Sequence, residues 1–189
     1  MLDENAFGIL LSYHHAENDE YACEPPEFAE RFTRFRKLVA DFLDENPLGN
    51  DVVVVDLGHA VYLEVAHDDE TVEPLGWLRQ ARARLAEHDF VSVGVLSHGS
   101  RWVDESEGPS VSVEHVAGVR RVALAGPSEP LRRALYAETA SHRDEDDAPE
   151  GWGPGLYADT EAIEALGKQP KNAPTLLRVA GASFYRAGR

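Results

Sequence analysis

Val52-Val53-Val54-Val55-Asp56-Leu57-Gly58-His59-Ala60-Val61-Tyr62-Leu63-Glu64-Val65-Ala66 decides the fold class. Residues 52–57 are an apolar, β-branched run broken only by Asp56, which suits an interior strand covered on both faces. In residues 60–66, Val61, Leu63 and Val65 alternate with Tyr62 and Glu64, the pattern of a half-buried strand. Gly58-His59 between them predicts a tight turn, so the two runs form a hairpin.

Upstream of this hairpin, Asn46-Pro47-Leu48-Gly49-Asn50 breaks the chain. Before the break, Phe28, Phe32, Phe35, Val39 and Phe42 recur at spacings of four and three, one stripe of a helix over residues 27–45. Pro25-Pro26 suits its first turn, where a proline costs no hydrogen bond. A first strand is expected at Phe7 to Tyr13. Downstream, a second helix runs from Pro74 to His88 with Leu75, Leu78 and Leu85 inward, and Phe90 to Ser97 reads as a strand.

The order is strand, helix, strand, strand, helix, strand. That order predicts an α+β fold of ferredoxin-like (split βαβ) type, with a mixed or antiparallel sheet and helices packed on one face, plus a C-terminal extension. Two more strands are expected at Val111 to Val116 and Val119 to Leu124. A third helix, capped by Ser128, is expected from Glu129 to Ser141, and a short one from Thr160 to Leu166 ends at Gly167. At 189 residues the chain reads as one α+β domain, 1–189: a core over about 5–142, an acidic loop 143–150 and the extension 151–189. A chain of that size buries roughly 70% of its unfolded surface and needs no metal or disulfide to hold a core.

One cysteine, Cys23, allows no intrachain disulfide and no cysteine-rich zinc site, and a reducing, cytoplasmic setting is expected. The early apolar run Phe7 to Leu11 is too short to cross a membrane. The net charge is −16, nearly all of it within residues 1–110, while residues 165–189 carry Lys168, Lys171, Arg178, Arg186 and Arg189 and no acid. Such a field repels nucleic acid and anionic lipid and attracts cationic partners. The excess of arginine over lysine fits a GC-rich genome.

Familiar site patterns fail on their spacing. His14 and His15 are adjacent, and adjacent strand residues point to opposite faces, so they and Cys23 do not make a metal site. Ser97-His98-Gly99-Ser100-Arg101 does not match a nucleophile elbow and reads as a polar hairpin loop. The acids from Asp144 to Asp147 fail as a calcium loop, because Ala148 and Gly155 fall where ligands are required. Gly151-Trp152-Gly153-Pro154-Gly155 lacks both the preceding strand and the lysine of a phosphate loop.

With no catalytic signature and an uneven charge, the expectation is a non-enzymatic acidic binding protein, an immunity or inhibitor protein for a basic protein partner. It would use no cofactor and bind neither nucleic acid nor membrane. Its partner-binding residues are taken as Asp144, Glu145, Asp146, Asp147 and Trp152, flexible acids beside an aromatic anchor. The alternative is a small hydrolase or metal-dependent enzyme using His14, His59 and His98, all at expected strand ends.

Overall fold

A computed structural model describes residues 2–14, 25–49, 52–67, 73–104, 108–109, 112–116, 119–123, 133–135, 150–167, 176–179 and 182–188. In chain order the elements are β1 (Leu2–Tyr13), α1 (Pro25–Glu45), β2 (Val52–Asp56), β3 (Ala60–Ala66), α2 (Pro74–Ala86) and β4 (Ser92–Asp104). After these come β5 (Gly108–Pro109), β6 (Ser112–Val116), β7 (Val119–Ala123), β8 (Gly155–Asp159), α3 (Thr160–Ala165), β9 (Leu176–Val179) and β10 (Ala182–Gly188). The main sheet runs β2-β3-β1-β4-β8-β10-β9, with β5 added against the end of β4. Every neighbouring pair along that order is antiparallel except β4 and β8, which are parallel.

Strand alternation sorts the apolar side chains onto two faces. On one face Phe7, Ile9 and Leu11 of β1, Val61, Leu63 and Val65 of β3, and Leu96 of β4 pack with the helices. Phe35, Val39 and Phe42 come down from α1, Leu75, Leu78 and Leu85 from α2, and Ala162 and Ile163 from α3. From Phe32 to Phe42 the α1 stripe thus does what its spacing predicts. On the opposite face Leu10, Tyr62, Val93, Val95, Tyr157 and Phe184 form a second cluster against Ala134.

Proline opens α2 at Pro74, and the indole nitrogen of Trp77 donates to Asn46 O at 2.7 Å, tying α2 to the end of α1. Asn46 itself closes α1, its backbone N and Nδ2 both donating to Phe42 O. Asp159 caps α3 by accepting from Ala162 N at 2.7 Å, and Gly167 follows with φ +64°, the left-handed geometry of a helix stop.

Three expectations are corrected. The 52–57 run lies at the sheet edge, not inside it: β3 already has β1 on its other side, and Val54 is 54% exposed while Val55 is 3% exposed. The segment from Ser97 to Arg101 is no hairpin loop; β1 extends back to Leu2 and supplies partners that carry β4 on to Asp104. Strand β3 is not half-buried: Tyr62 and Glu64, on the face away from Leu63, are buried as well, because a second apolar cluster covers that face. The two strands expected at 111–116 and 119–124 are present as β6 and β7, which pair as a two-stranded ribbon apart from the main sheet. Of the expected helix 129–141, residues 133–135 are helical and the rest lies outside the described residues. Residues 155–188 contribute β8, β9 and β10 to the sheet, so this part of the extension widens it. No helix among the described residues is long and apolar enough to cross a membrane.

Candidate functional site

Several elements meet where β1 ends. The β2–β3 turn is fixed there by Gly58 at φ +89° and by Asp56, whose Oδ1 accepts from Gly58 N at 2.8 Å. The turn is stitched to β1 through Tyr13 N donating to His59 O, and the chain beyond β1 is held by His14 N donating to Val91 O, both at 2.9 Å. His14 and His59 therefore share one end of the sheet. The His59 ring lies 6.5 Å from that of Phe32, beside an aromatic cluster in which Tyr13 packs on Phe35 and Phe90.

The first half of α1 crosses this end and brings arginines with it. Arg31 Nη1 donates to Tyr13 Oη at 3.1 Å, and Arg36 Nη1 grips Asp56 Oδ2 at 2.6 Å. Arg34 sits over the Phe90 ring, 5.8 Å from its centroid. The strands β4 and β8 also begin here, since Ser92 pairs with Tyr13 and Gly155 with Val93. Arg82 of α2 donates from Nε and Nη2 to Ser92 O, and Arg186 of β10 donates from Nη2 to Pro154 O. In a chain of net charge −16, five guanidiniums are gathered at one end of the sheet. That arrangement attracts anions and suits phosphate groups, whose geometry matches the planar donor fork of arginine.

The residues singled out from sequence are dispersed. Asp144, Glu145, Asp146 and Asp147 lie outside the described residues. Trp152 is half-buried, stacked on Tyr157 at 4.5 Å and edge-on to Phe184, so it packs against the sheet face opposite the helices. His98 is separated from His14 and His59. It stands opposite Phe7 on β4, and its Nε2 lies 3.0 Å from His67 Nδ1. Burial holds His98 below the usual imidazole range, with the neighbouring His67 adding to the effect and Glu161 opposing it. Sequence reasoning passed over Arg31, Arg36, Arg82 and Arg186. The available signal was two arginines five residues apart at the head of an amphipathic helix that follows a strand.

No family model matches the sequence, and no curated protein matches it significantly. Solved structures do match. The chain superposes on the catalytic core of a rhodopsin-guanylyl cyclase with converted specificity, in complex with ATPαS, at TM-score 0.58 and 9% identity, covering 99% of this chain and 97% of that one. It superposes on the guanylate cyclase domain of RhGC from Catenaria anguillulae, in complex with GTP, at 0.54 and 10% identity over 100% of both chains. A bacterial light-regulated adenylyl cyclase matches at 0.59 and 11% identity, covering 97% of this chain and 52% of that one.

The fold is that of nucleotidyl cyclase catalytic domains. This likeness overturns the expectation of a non-enzymatic immunity or inhibitor protein. That expectation rested on net charge and on missing linear motifs. Net charge reports on solubility and association and carries no information about fold, and a site assembled from several strand ends leaves no linear motif.

Proposed function

We propose that the chain is an enzyme of the nucleotidyl cyclase type, taking a purine nucleoside triphosphate at the carboxyl end of β1. The observation that carries this reading is the likeness along the whole chain to cyclase catalytic domains, two of them holding ATPαS or GTP. The guanidiniums gathered at that end support it. The finer architecture proposed with it is a split βαβ unit, β1 to β4 in sheet order β2-β3-β1-β4, with the residues from 151 onward as its extension.

In the proposed reaction the ribose 3′-oxygen attacks the α-phosphorus. A new P–O bond closes the ring, the bond to the β-phosphate oxygen breaks, and pyrophosphate leaves while the hydroxyl proton passes to a base. Arg31 and Arg36 stand where they balance phosphate charge, Arg36 by exchanging Asp56 for a phosphate oxygen. His14 and His59 are the imidazoles at this end that fit the role of proton acceptor.

Triphosphate chemistry ordinarily draws on a divalent cation. The donors described at this end do not fit a protein-held ion: Asp56 is occupied by Arg36 and Gly58 N, and no three His, Cys, Asp or Glu side chains gather among the described residues. No step is assigned to such an ion.

The test is incubation of the protein with ATP or GTP in magnesium or manganese, with cyclic nucleotide and pyrophosphate quantified by mass spectrometry. Equimolar release of both products, reduced at least tenfold in Arg31→Gln, supports the reading. Absence of cyclic nucleotide from either triphosphate with either cation overturns the cyclisation. Nucleotide binding without turnover would keep the site and remove the reaction.

A further inference from the structure

Three rings meet toward the amino end of β1. Phe7 pairs with Val65 of β3 on one side and with His98 of β4 on the other, and His67 follows directly on β3. Phe7 belongs to the core cluster on the helix face, and cross-strand pairing puts the His98 side chain on that same face. The Phe7 ring lies 4.7 Å from that of His67 and 4.9 Å from that of His98, and the two imidazoles are 4.8 Å apart at 89°. The backbone holds His67 in place, its N donating to Asn5 O at 2.9 Å.

His98 Nε2 and His67 Nδ1 lie 3.0 Å apart. Imidazole nitrogens bind zinc at about 2.0–2.1 Å, so two of them on one tetrahedral ion stand roughly 3.3 Å apart. The pair is therefore a few tenths of an ångström short of a chelating bite, and the three mutually packed rings leave little freedom to lose on binding. Both imidazoles are part-buried, which leaves the remaining positions of an ion to water. One ring now donates its N–H to the other. On metal binding both contact nitrogens become acceptors, and the former donor carries its hydrogen on its remaining nitrogen, so no proton is gained or lost. A chain of net charge −16 draws cations, and Glu161 in the first turn of α3 places a negative charge near His98.

We propose that His67 and His98 form a site for a borderline divalent transition-metal ion of the zinc type, bound by two imidazoles and completed by water. Imidazole favours zinc, copper and nickel, whereas magnesium prefers oxygen donors. Phe7 and Tyr13 stand six places apart on β1, about 20 Å of strand, so this site is separate from the strand end assigned to the nucleotide. Bound there, the ion cross-links the end of β3 to β4 over Phe7 and stabilises the folded state by mass action. The proposal goes beyond the cyclase reading and does not depend on it.

The experiment is isothermal titration of the full-length protein with zinc chloride near neutral pH, with and without excess magnesium. Wild type is compared with His67→Gln, His98→Gln and the double variant, and melting temperatures are read with and without zinc. The expected result is saturable zinc binding that magnesium does not displace, weakened about tenfold or more in either single variant and no further in the double one, because a chelate is lost with its first ligand. Zinc is expected to raise the melting temperature of wild type and to leave those of the variants unchanged. A measurement on wild type alone guards against misfolded variants: in NMR spectra the signals of His98 Nε2 and His67 Nδ1 are expected to shift together as zinc is added. Absence of saturable zinc binding overturns the proposal. So do binding that the variants leave intact, displacement by magnesium, and ring-nitrogen signals that zinc does not move. No nucleotide enters the measurement, so loss of the cyclase reading leaves its result standing.

Discussion

Ser97 on β4 donates its hydroxyl hydrogen to Oδ2 of Asp159, and the same carboxylate accepts Ala162 N at the head of α3. One buried side chain therefore joins β4, β8 and α3. Its burial raises the pKa of Asp159 from 3.8 to about 6, an effect that the hydrogen bonds from Ser97 and Ala162 only partly oppose.

The folded state thus holds this proton more tightly than the unfolded chain does. Its stabilising contribution is fully present below pH 3.8 and is lost as pH rises through about 6. Asp159→Asn keeps an acceptor for the helix cap and carries no charge. Urea midpoints measured from pH 4 to 7 are expected to show a component on the order of 2 kcal/mol in wild type, absent in D159N, with D159N at least as stable at pH 7. An unchanged slope in the variant would refute this.

The His67–His98 pair has the opposite sign. His98 is held below its ordinary value, so its contribution is present above pH 6.5 and is lost as pH falls. In NMR titrations His98 is expected to protonate at lower pH than in the His67→Gln variant, where the neighbouring imidazole is gone. Identical titration curves in the two proteins would remove the coupling.

Gly58→Ala tests the hairpin turn. A Cβ there meets nothing within 4 Å, so the cost is conformational, set by φ +89°. The expected destabilisation is about 1 kcal/mol, seen as a lowered melting temperature, together with weaker nucleotide binding if the turn positions His59. A loss several times larger would mean that the turn supports more than its own geometry.

Phe35 is fully buried between α1 and the sheet, stacked with Tyr13 and edge-on to Phe90. Truncation to alanine is expected to cost about 3–5 kcal/mol in chemical denaturation. Cysteine or methionine in its place should recover part of the loss.

How much of this was legible in the sequence depended on distance along the chain. The α1 stripe is a local periodicity and appears as expected in the buried positions of Phe35 and Val39; the alternation of β3 does sort its side chains to two faces, but Tyr62 and Glu64 are buried as deeply as Leu63 and Val65, because a second apolar cluster covers the face that the pattern marked as open. Sheet position is not local. Nothing within Val52 to Asp56 reveals that β3 already has β1 as its second neighbour, so an apolar run became an edge. The candidate site was hidden for the same reason. The starts of β4 and β8 lie side by side only through their parallel register, and Ser97 reaches Asp159 across 62 positions. Arginine counted as composition gave no hint that several guanidiniums share one end of the sheet.

The parallel pairing of β4 with β8 also sets a timetable for the newborn chain. The first four long strands are complete by Asp104, but the partner for Val93 to Leu96 is not synthesised until Gly155 to Ala158. At roughly 5–20 residues per second, that edge waits some seconds on the ribosome with its amides and carbonyls unanswered. A transcript cut short before Gly155 would leave it so permanently, and such a product is expected to associate with other chains through that edge.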